Sequence, residues 1–222
     1  MVNRVLLNND PKSHSMNVYF GGDMKERVKI KREMIISTSR ELFAINGFEN
    51  TKVEDITKAM NISKGSFYTY FKTKEEVLFE VMEKAYVEYE EILSTIDKHQ
   101  DQKDIMKDFF EKRKMMYRKY GNIREIIIKL LLSEEPNTEI IDIKYRFVNL
   151  SIEFIKDNIV KKYNRKDIDV DFISDFIEVS VEGYFMKKTR FPNVKDSVKE
   201  TIFTDEVFEK IIKFIDDSLS KK

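Results

Sequence analysis

Apolar residues along most of this chain recur three and four apart, the period of helices that bury one face. Between Lys25 and Asn46, Ile35, Leu42 and Phe43 keep that spacing with the small Thr38 and Ser39 among them. The pattern predicts a helix that Asn46-Gly47 ends. Thr51 stands three residues before Glu54, which predicts a capping box opening a short helix whose inward stripe is Val53, Ile56, Ala59 and Met60. Asn61 suits the left-handed conformation of a tight turn. Ser63 then caps a helix from Lys64 to Phe71, with Phe67 and Phe71 four apart on one face. Thr73 and Glu76 form a second capping box and open a long helix to about Ile96. Beyond residue 100, helices are predicted near 102–120, 122–134, 138–163, 168–190 and 204–220, with Gly121, Pro136 and Pro192 as breaks. Residues 1–23 lack helical periodicity and hold Asp10-Pro11 and Gly21-Gly22, so a loose extension is expected there. Gly21-Gly22-Asp23 can be encoded by purine-rich codons that resemble a ribosome-binding sequence, which makes Met24 a candidate start, testable by mass spectrometry of the protein made from its own gene.

Composition sharpens this picture. Six glycines and three prolines in 222 residues leave little room for turn-rich β structure, so the expected fold class is all-α. The chain has no cysteine, which removes disulfides, thiolate metal sites and cysteine nucleophiles. Its histidines are His14, in the extension, and His99, at a helix end, too few for a catalytic triad or a histidine metal cluster. The acid pairs Glu134-Glu135 and Asp216-Asp217 read as helix-end charges, and no glycine-rich phosphate loop stands near them. No enzyme activity, metal or cofactor is therefore expected. The longest apolar run, Ile126 to Leu132, is short and interrupted by Lys129, far from the roughly 20 residues of a membrane helix. With no signal-peptide layout at the start, a cytoplasmic protein without membrane contact is the expectation.

Charge is balanced overall but not along the chain. Residues 24–74 carry eleven lysines and arginines against six acids, and the later residues hold the compensating excess of acid. A basic head on an acidic body suits a head that meets a polyanion. Three short helices before a long one, with a middle turn of about three residues, is helix-turn-helix spacing.

The residues from Ile35 to Leu78 carry a resemblance. Leu42-Phe43 with Gly47-Phe48, then Thr51, Val53 and Asp55-Ile56, the run Ile62-Ser63-Lys64-Gly65-Ser66-Phe67-Tyr68-Thr69-Tyr70-Phe71, and Lys74-Glu75-Glu76-Val77-Leu78 together resemble the DNA-binding domain of the TetR (tetracycline-repressor-like) family. The departures are Thr57 and Met60, where the family usually has alanine, and Asn61, where it usually has glycine. About 45 residues carry the match; beyond them only length and helical content agree. Behind the loose extension over 1–23, the resemblance implies a helix-turn-helix DNA-binding domain over 24–72 and an effector-binding and dimerisation domain over 73–222. It also implies a repressor of double-stranded DNA operators. The rival reading is a helical adaptor that binds protein through the same head.

In a short recognition helix only the first turns reach base edges. Lys64, Gly65, Ser66 and Thr69 lie opposite Phe67 and Phe71, and Gly65 permits close approach to the DNA. Tyr68 and Tyr70 offer hydroxyls to phosphates and ring faces to sugars or thymine methyls. Thr51, Ser63 and Lys74, at helix starts, are candidate phosphate clamps, with Lys52 adding charge nearby.

In the resembled family the later helices form an effector pocket and the last two pair across a two-fold axis. Candidate pocket residues are Phe109, Phe110, Met116, Tyr117, Tyr120, Tyr145, Phe147 and Phe154, suited to an unidentified small hydrophobic or amphipathic effector. Arg113, Arg118, Arg124 and Arg146 are candidates for an anionic ligand, with surface positions expected for each. Phe172, Phe176, Ser180 and Tyr184, with Val207, Ile211 and Ile215, recur at the spacing of a homodimer interface.

Overall fold

The computed structural model describes residues 24–131, 138–189 and 205–220, and every regular element among them is helical. The helices are α1 (Met24–Asn46), α2 (Val53–Ala59), α3 (Lys64–Tyr68), α4 (Lys74–Ser94), α5 (Gln102–Leu131), α6 (Thr138–Asn158), α7 (Val170–Thr189) and α8 (Asp205–Ser220). A 3-10 turn, Val160–Tyr163, follows α6, so the helix predicted to run to residue 163 ends earlier. The expected extension over 1–23 and the breaks at Pro136 and Pro192 lie outside the described residues.

The head forms because each short helix buries one stripe. From α1, Ile35, Ile36, Ser39 and Phe43 point inward, and Phe43 meets Phe48 edge-on with ring centroids 5.0 Å apart. Gly47 ends α1 at φ +81, donating its N–H to Phe43 O at 3.1 Å. Asn61 makes the α2–α3 turn at φ 51, the left-handed conformation its short polar side chain favours. Phe67, fully buried, anchors α3 against this core. Ile56 of α2 and Met60, its C-cap, point inward while Ala59 faces solvent, because the buried arc runs through Ile56, Met60 and Thr57 and leaves Ala59 beyond its edge.

The chain carries two hydrophobic cores, and α4 belongs to both. Its first half places Val77, Leu78, Val81 and Met82 in the head core; its second half places Ala85, Tyr89 and Leu93 in the body core. Ile123 and Ile126 of α5 and Ile140 and Ile143 of α6 also join the head core. The sequence boundary after residue 72 is thus a turn in the chain, with packing continuous across it. The body core centres on Phe109, which stacks on Phe154 with centroids 5.1 Å apart, and on Phe110, which meets Phe208 of α8 at 5.7 Å.

Helix α5 runs unbroken through Gly121, contrary to the predicted break. A glycine inside a helix costs only about 1 kcal/mol, and Ile123 and Ile126, buried in the head core, hold the following turns in place. No helix among the described residues is long and apolar enough to cross a membrane, and no group of three metal-binding side chains occurs among them.

Candidate nucleic-acid interface and ligand cavity

The exposed face of the head is built around α3. Ser63 caps it, accepting from the Ser66 N–H at 3.1 Å, and the helix closes with Thr69 Oγ1 donating to Gly65 O at 3.0 Å. It spans Lys64–Tyr68, shorter than predicted, because residues 69–71 tighten into a turn with Tyr70 N–H donating to Phe67 O at 2.9 Å. Lys64, Gly65, Tyr68 and Thr69 are exposed, and Tyr68 keeps 53% of its surface in solvent. Ser66 and Tyr70 are half-buried, the latter against the head core. A Cβ at Gly65 meets nothing closer than Ser63 Oγ at 3.8 Å, so the glycine leaves open space above the backbone. Lys64 forms an ion pair with Glu54 of α2, whose hydrogen bond holds the Glu54 carboxyl below its ordinary range and raises the Lys64 ammonium.

Two predicted clamp residues have other partners. Thr51 is fully buried, and its hydroxyl donates to Gly47 O at 2.7 Å, closing the α1–α2 turn. The cap of α2 is instead Lys52, whose backbone N–H donates to Asp55 Oδ2 at 2.8 Å. The predicted Thr51–Glu54 box is one residue out of register because the Thr51 side chain turns inward to α1. Lys52 itself is exposed. The Lys74 ammonium donates to Phe48 O at 2.8 Å and Thr51 O at 3.2 Å, and lies 4.3 Å from the Phe48 ring centroid. It ties the start of α4 to the α1–α2 turn. Lys74→Ala is expected to lower stability by about 1 to 3 kcal/mol, the cost of leaving part-buried carbonyls unpaired, without changing the salt dependence of DNA affinity. Urea unfolding beside a salt titration checks this. A reduced salt slope at unchanged stability would instead put the ammonium on a phosphate.

At the seam of the two cores lies a cavity of about 120 Å³. Met82, Ala85 and Tyr89 of α4 form one wall, Met116, Tyr117, Tyr120 and Ile123 of α5 a second, and Phe147, Val148 and Ser151 of α6 a third. Of the predicted pocket residues, Met116, Tyr117, Tyr120 and Phe147 line it. Phe109, Phe110 and Phe154 do not: they fill the body core and are buried against one another. Tyr145 points outward, 63% exposed.

The polar side of the cavity is an ion-pair cluster. Arg113, expected at the surface, is buried, and its guanidinium holds Glu178 through both terminal nitrogens, one bond measuring 2.7 Å. The same guanidinium reaches Glu182 at 3.1 Å, and Lys144 of α6 reaches Glu182 at 3.3 Å. Burial works against the Arg113 charge, but Glu178, joined by Tyr117 and Tyr89, more than offsets it and the guanidinium is held above its ordinary range. Tyr89 donates to Ser151 Oγ at 3.0 Å, since Ser151 donates onward to Phe147 O, and burial pushes the Tyr89 phenol up. Tyr120 is pushed up to about 12 by burial and by its bond to Glu88. The sequence held one signal for this cluster: Glu178 falls within the inward stripe Ser174, Ile177 and Val181, and a buried acid needs a buried cation. Arg118 is exposed as expected; Arg146 pairs with Glu83 at the surface of α4; the Arg124 side chain lies outside the described residues.

On the outer face of α7, Phe172 and Phe176 are exposed and stack on each other at 6.1 Å, with Val179 and Ser180 beside them. Val207 and Ile211 of α8 are half-buried. Ile215, expected in a dimer interface, is buried in the protomer's own core with Phe208 and Ile212, because it falls on the inward stripe of α8. The Tyr184 side chain lies outside the described residues.

A capped, outward-facing α3 on a small head, with α4, α5 and α6 continuing from the head core into a helical body, is the arrangement of a helix-turn-helix domain followed by a second helical domain. Residues 35–81 match the model of bacterial regulatory proteins of the tetR family. It is 44% identical over 55 residues to an uncharacterized HTH-type transcriptional regulator, YuxN, of Bacillus subtilis, covering 25% of this chain and 19% of that protein. The chain therefore matches about a fifth of that relative's length. Over 192 residues it is 24% identical to IcaR of Staphylococcus epidermidis, the negative transcriptional regulator of a biofilm operon, covering 83% of this chain and 98% of IcaR. A transcriptional regulator from Cytophaga hutchinsonii shares the fold with a TM-score of 0.68 and 18% identity, over 86% of this chain and 99% of that one.

Proposed function

We propose that this chain is a transcriptional repressor that binds a palindromic DNA operator as a homodimer and releases it when a small molecule enters the cavity. The observation that carries this reading is the double membership of α4. The helix that opens beside the recognition helix also forms a wall of the cavity, so a ligand there pushes on the element that sets the position of the head. The exposed face of Lys64, Gly65, Tyr68 and Thr69 supplies the DNA contacts, with Ser63 and Lys52 at its edge. Repression is supported by the kinship with IcaR, named a negative regulator. Dimerisation is supported by the exposed stack of Phe172 and Phe176, and it has a functional reason. One head reads a few base pairs, whereas two heads read both half-sites and multiply their affinities.

The test is anisotropy of a labelled duplex taken from upstream of the protein's own gene, with excess non-specific DNA present. Affinity is expected to fall roughly 1000-fold between about 50 and 200 mM salt, the response of a protein that displaces counterions from several phosphates. Tyr68→Ala is expected to weaken binding about tenfold, the loss of one exposed side chain from the contact face. Affinity that ignores salt and does not exceed that for random DNA would favour the adaptor reading.

A further inference from the structure

We infer that the ligand taken by the cavity is a small lipophilic ammonium, one positively charged nitrogen on a body about the size of a single aromatic ring. This rests on the reading of the cavity as the effector site and names the chemistry of that effector.

Size sets the first bound. At about 120 Å³ the space is somewhat smaller than a 150 Å³ cavity that admits benzene, so one ring or a short branched chain fills it. The apolar surround of Met82, Met116, Ile123 and Phe147 suits such a body.

Charge sets the second. The cluster facing the cavity holds two cations and two carboxylates among the described residues, but the four are not equally fixed. Arg113 and Glu178 are 7% and 3% exposed and grip each other through paired bonds. Glu182, 19% exposed, is held by Arg113 at 3.1 Å and by the Tyr117 hydroxyl at 2.5 Å. Its third partner, Lys144, is the most exposed of the four at 31% and makes the longest contact, 3.3 Å. A lysine on a flexible four-carbon stem returns to water at little cost. A ligand ammonium can therefore replace the Lys144 ammonium at Glu182 and leave the buried charge balance unchanged. An anionic ligand has no such exchange: it must expel Glu178 or Glu182 from Arg113, or add an uncompensated charge to a dry site.

Hydrogen-bond direction agrees with this. The phenol protons of Tyr89, Tyr117 and Tyr120 are committed to Ser151, Glu182 and Glu88. With those protons engaged, the three tyrosines have only oxygen lone pairs and aromatic faces left to offer a ligand, both of which attract a cation.

Calorimetry with three probes of one shape tests the inference on the full chain without DNA: benzylamine, benzyl alcohol and benzoate. The amine is expected to bind about tenfold tighter than the alcohol, and the acid to give no heat. Lys144→Ala, which removes the competing ammonium, should tighten amine binding several-fold and leave the alcohol unchanged; a merely structural lysine would not strengthen anything. Glu182→Gln should erase the advantage of the amine, with a thermal melt confirming that the variant folds. Benzoate binding as tightly as the amine, no binding by any probe, or weaker amine binding in Lys144→Ala would each overturn the inference. Anisotropy on operator DNA keeps the two readings apart. DNA binding without amine binding overturns the ligand class and leaves the repressor standing, whereas amine binding by a chain that ignores DNA supports the ligand class and counts against the repressor.

Discussion

Arg113→Ala is expected to destabilise the chain by about 3 to 5 kcal/mol, a large share of the roughly 5 to 15 kcal/mol that holds a typical domain folded. The variant deletes the guanidinium that faces Glu178 and Glu182, leaving Glu178, only 3% exposed, as a buried carboxylate without its cation. Coulomb attraction within the pair does little more than repay the desolvation of both charges, so the cost lies in stranding one partner. In thermal terms the loss corresponds to a drop of about 6 to 20 °C. The double variant Arg113→Met with Glu178→Leu, which removes both charges and keeps apolar volume, should recover most of it. Urea unfolding of the three proteins settles the point. A loss below about 1 kcal/mol for Arg113→Ala would mean that water reaches the pair and solvates Glu178.

Gly65→Leu is expected to abolish specific DNA binding, by at least about 100-fold, while the protein stays as stable as before. The space above Gly65 is open, with Ser63 Oγ at 3.8 Å the nearest atom to a built Cβ, so the head accepts a side chain. Leucine is also the better helix former by somewhat under 1 kcal/mol. The new side chain projects from the exposed face between Lys64 and Thr69, where the proposed complex brings the backbone close to base edges. Obstructing one base contact costs about 1 to 3 kcal/mol, and the proposed dimer incurs it twice. The two measurements must be read together: a normal melt with lost operator binding assigns the face to DNA. Unchanged affinity would remove α3 from the interface altogether.

These two residues differ in how legible they were. Gly65 stands inside a local run whose spacing of Ser63, Lys64, Phe67, Tyr68 and Phe71 already separates an inward face from an outward one, and the folded head keeps that separation. The turns at Gly47 and Asn61 and the caps at Ser63 and Thr73 were likewise readable, because each is set by the φ preference or side-chain reach of residues within one turn. The misreadings were of another kind. Thr51 has a capping side chain, but α1 offers it Gly47 O, and Lys52 caps α2 in its place. Lys74 reads locally as a phosphate clamp, and only the fold shows that its ammonium also meets Phe48 O and Thr51 O, 26 and 23 residues away in sequence.

What the sequence by itself determined is therefore the local layer: an all-helical chain, a basic helix-turn-helix head, and the inward stripe of each long helix. Periodicity carries that information because a helix repeats every 3.6 residues whatever surrounds it. What only the tertiary structure decided is which inward residues meet another side chain and which meet empty space. Phe109, Phe110 and Phe154 pack on one another while Met116, Tyr117, Tyr120 and Phe147 line a cavity, although all seven look alike as aromatic or methionine positions on inward faces. Likewise Arg113 became a buried residue only because α7 brings Glu178 to it across 65 residues. Burial of a charge or the survival of a void depends on complementarity between helices far apart in the chain, and no local pattern encodes it.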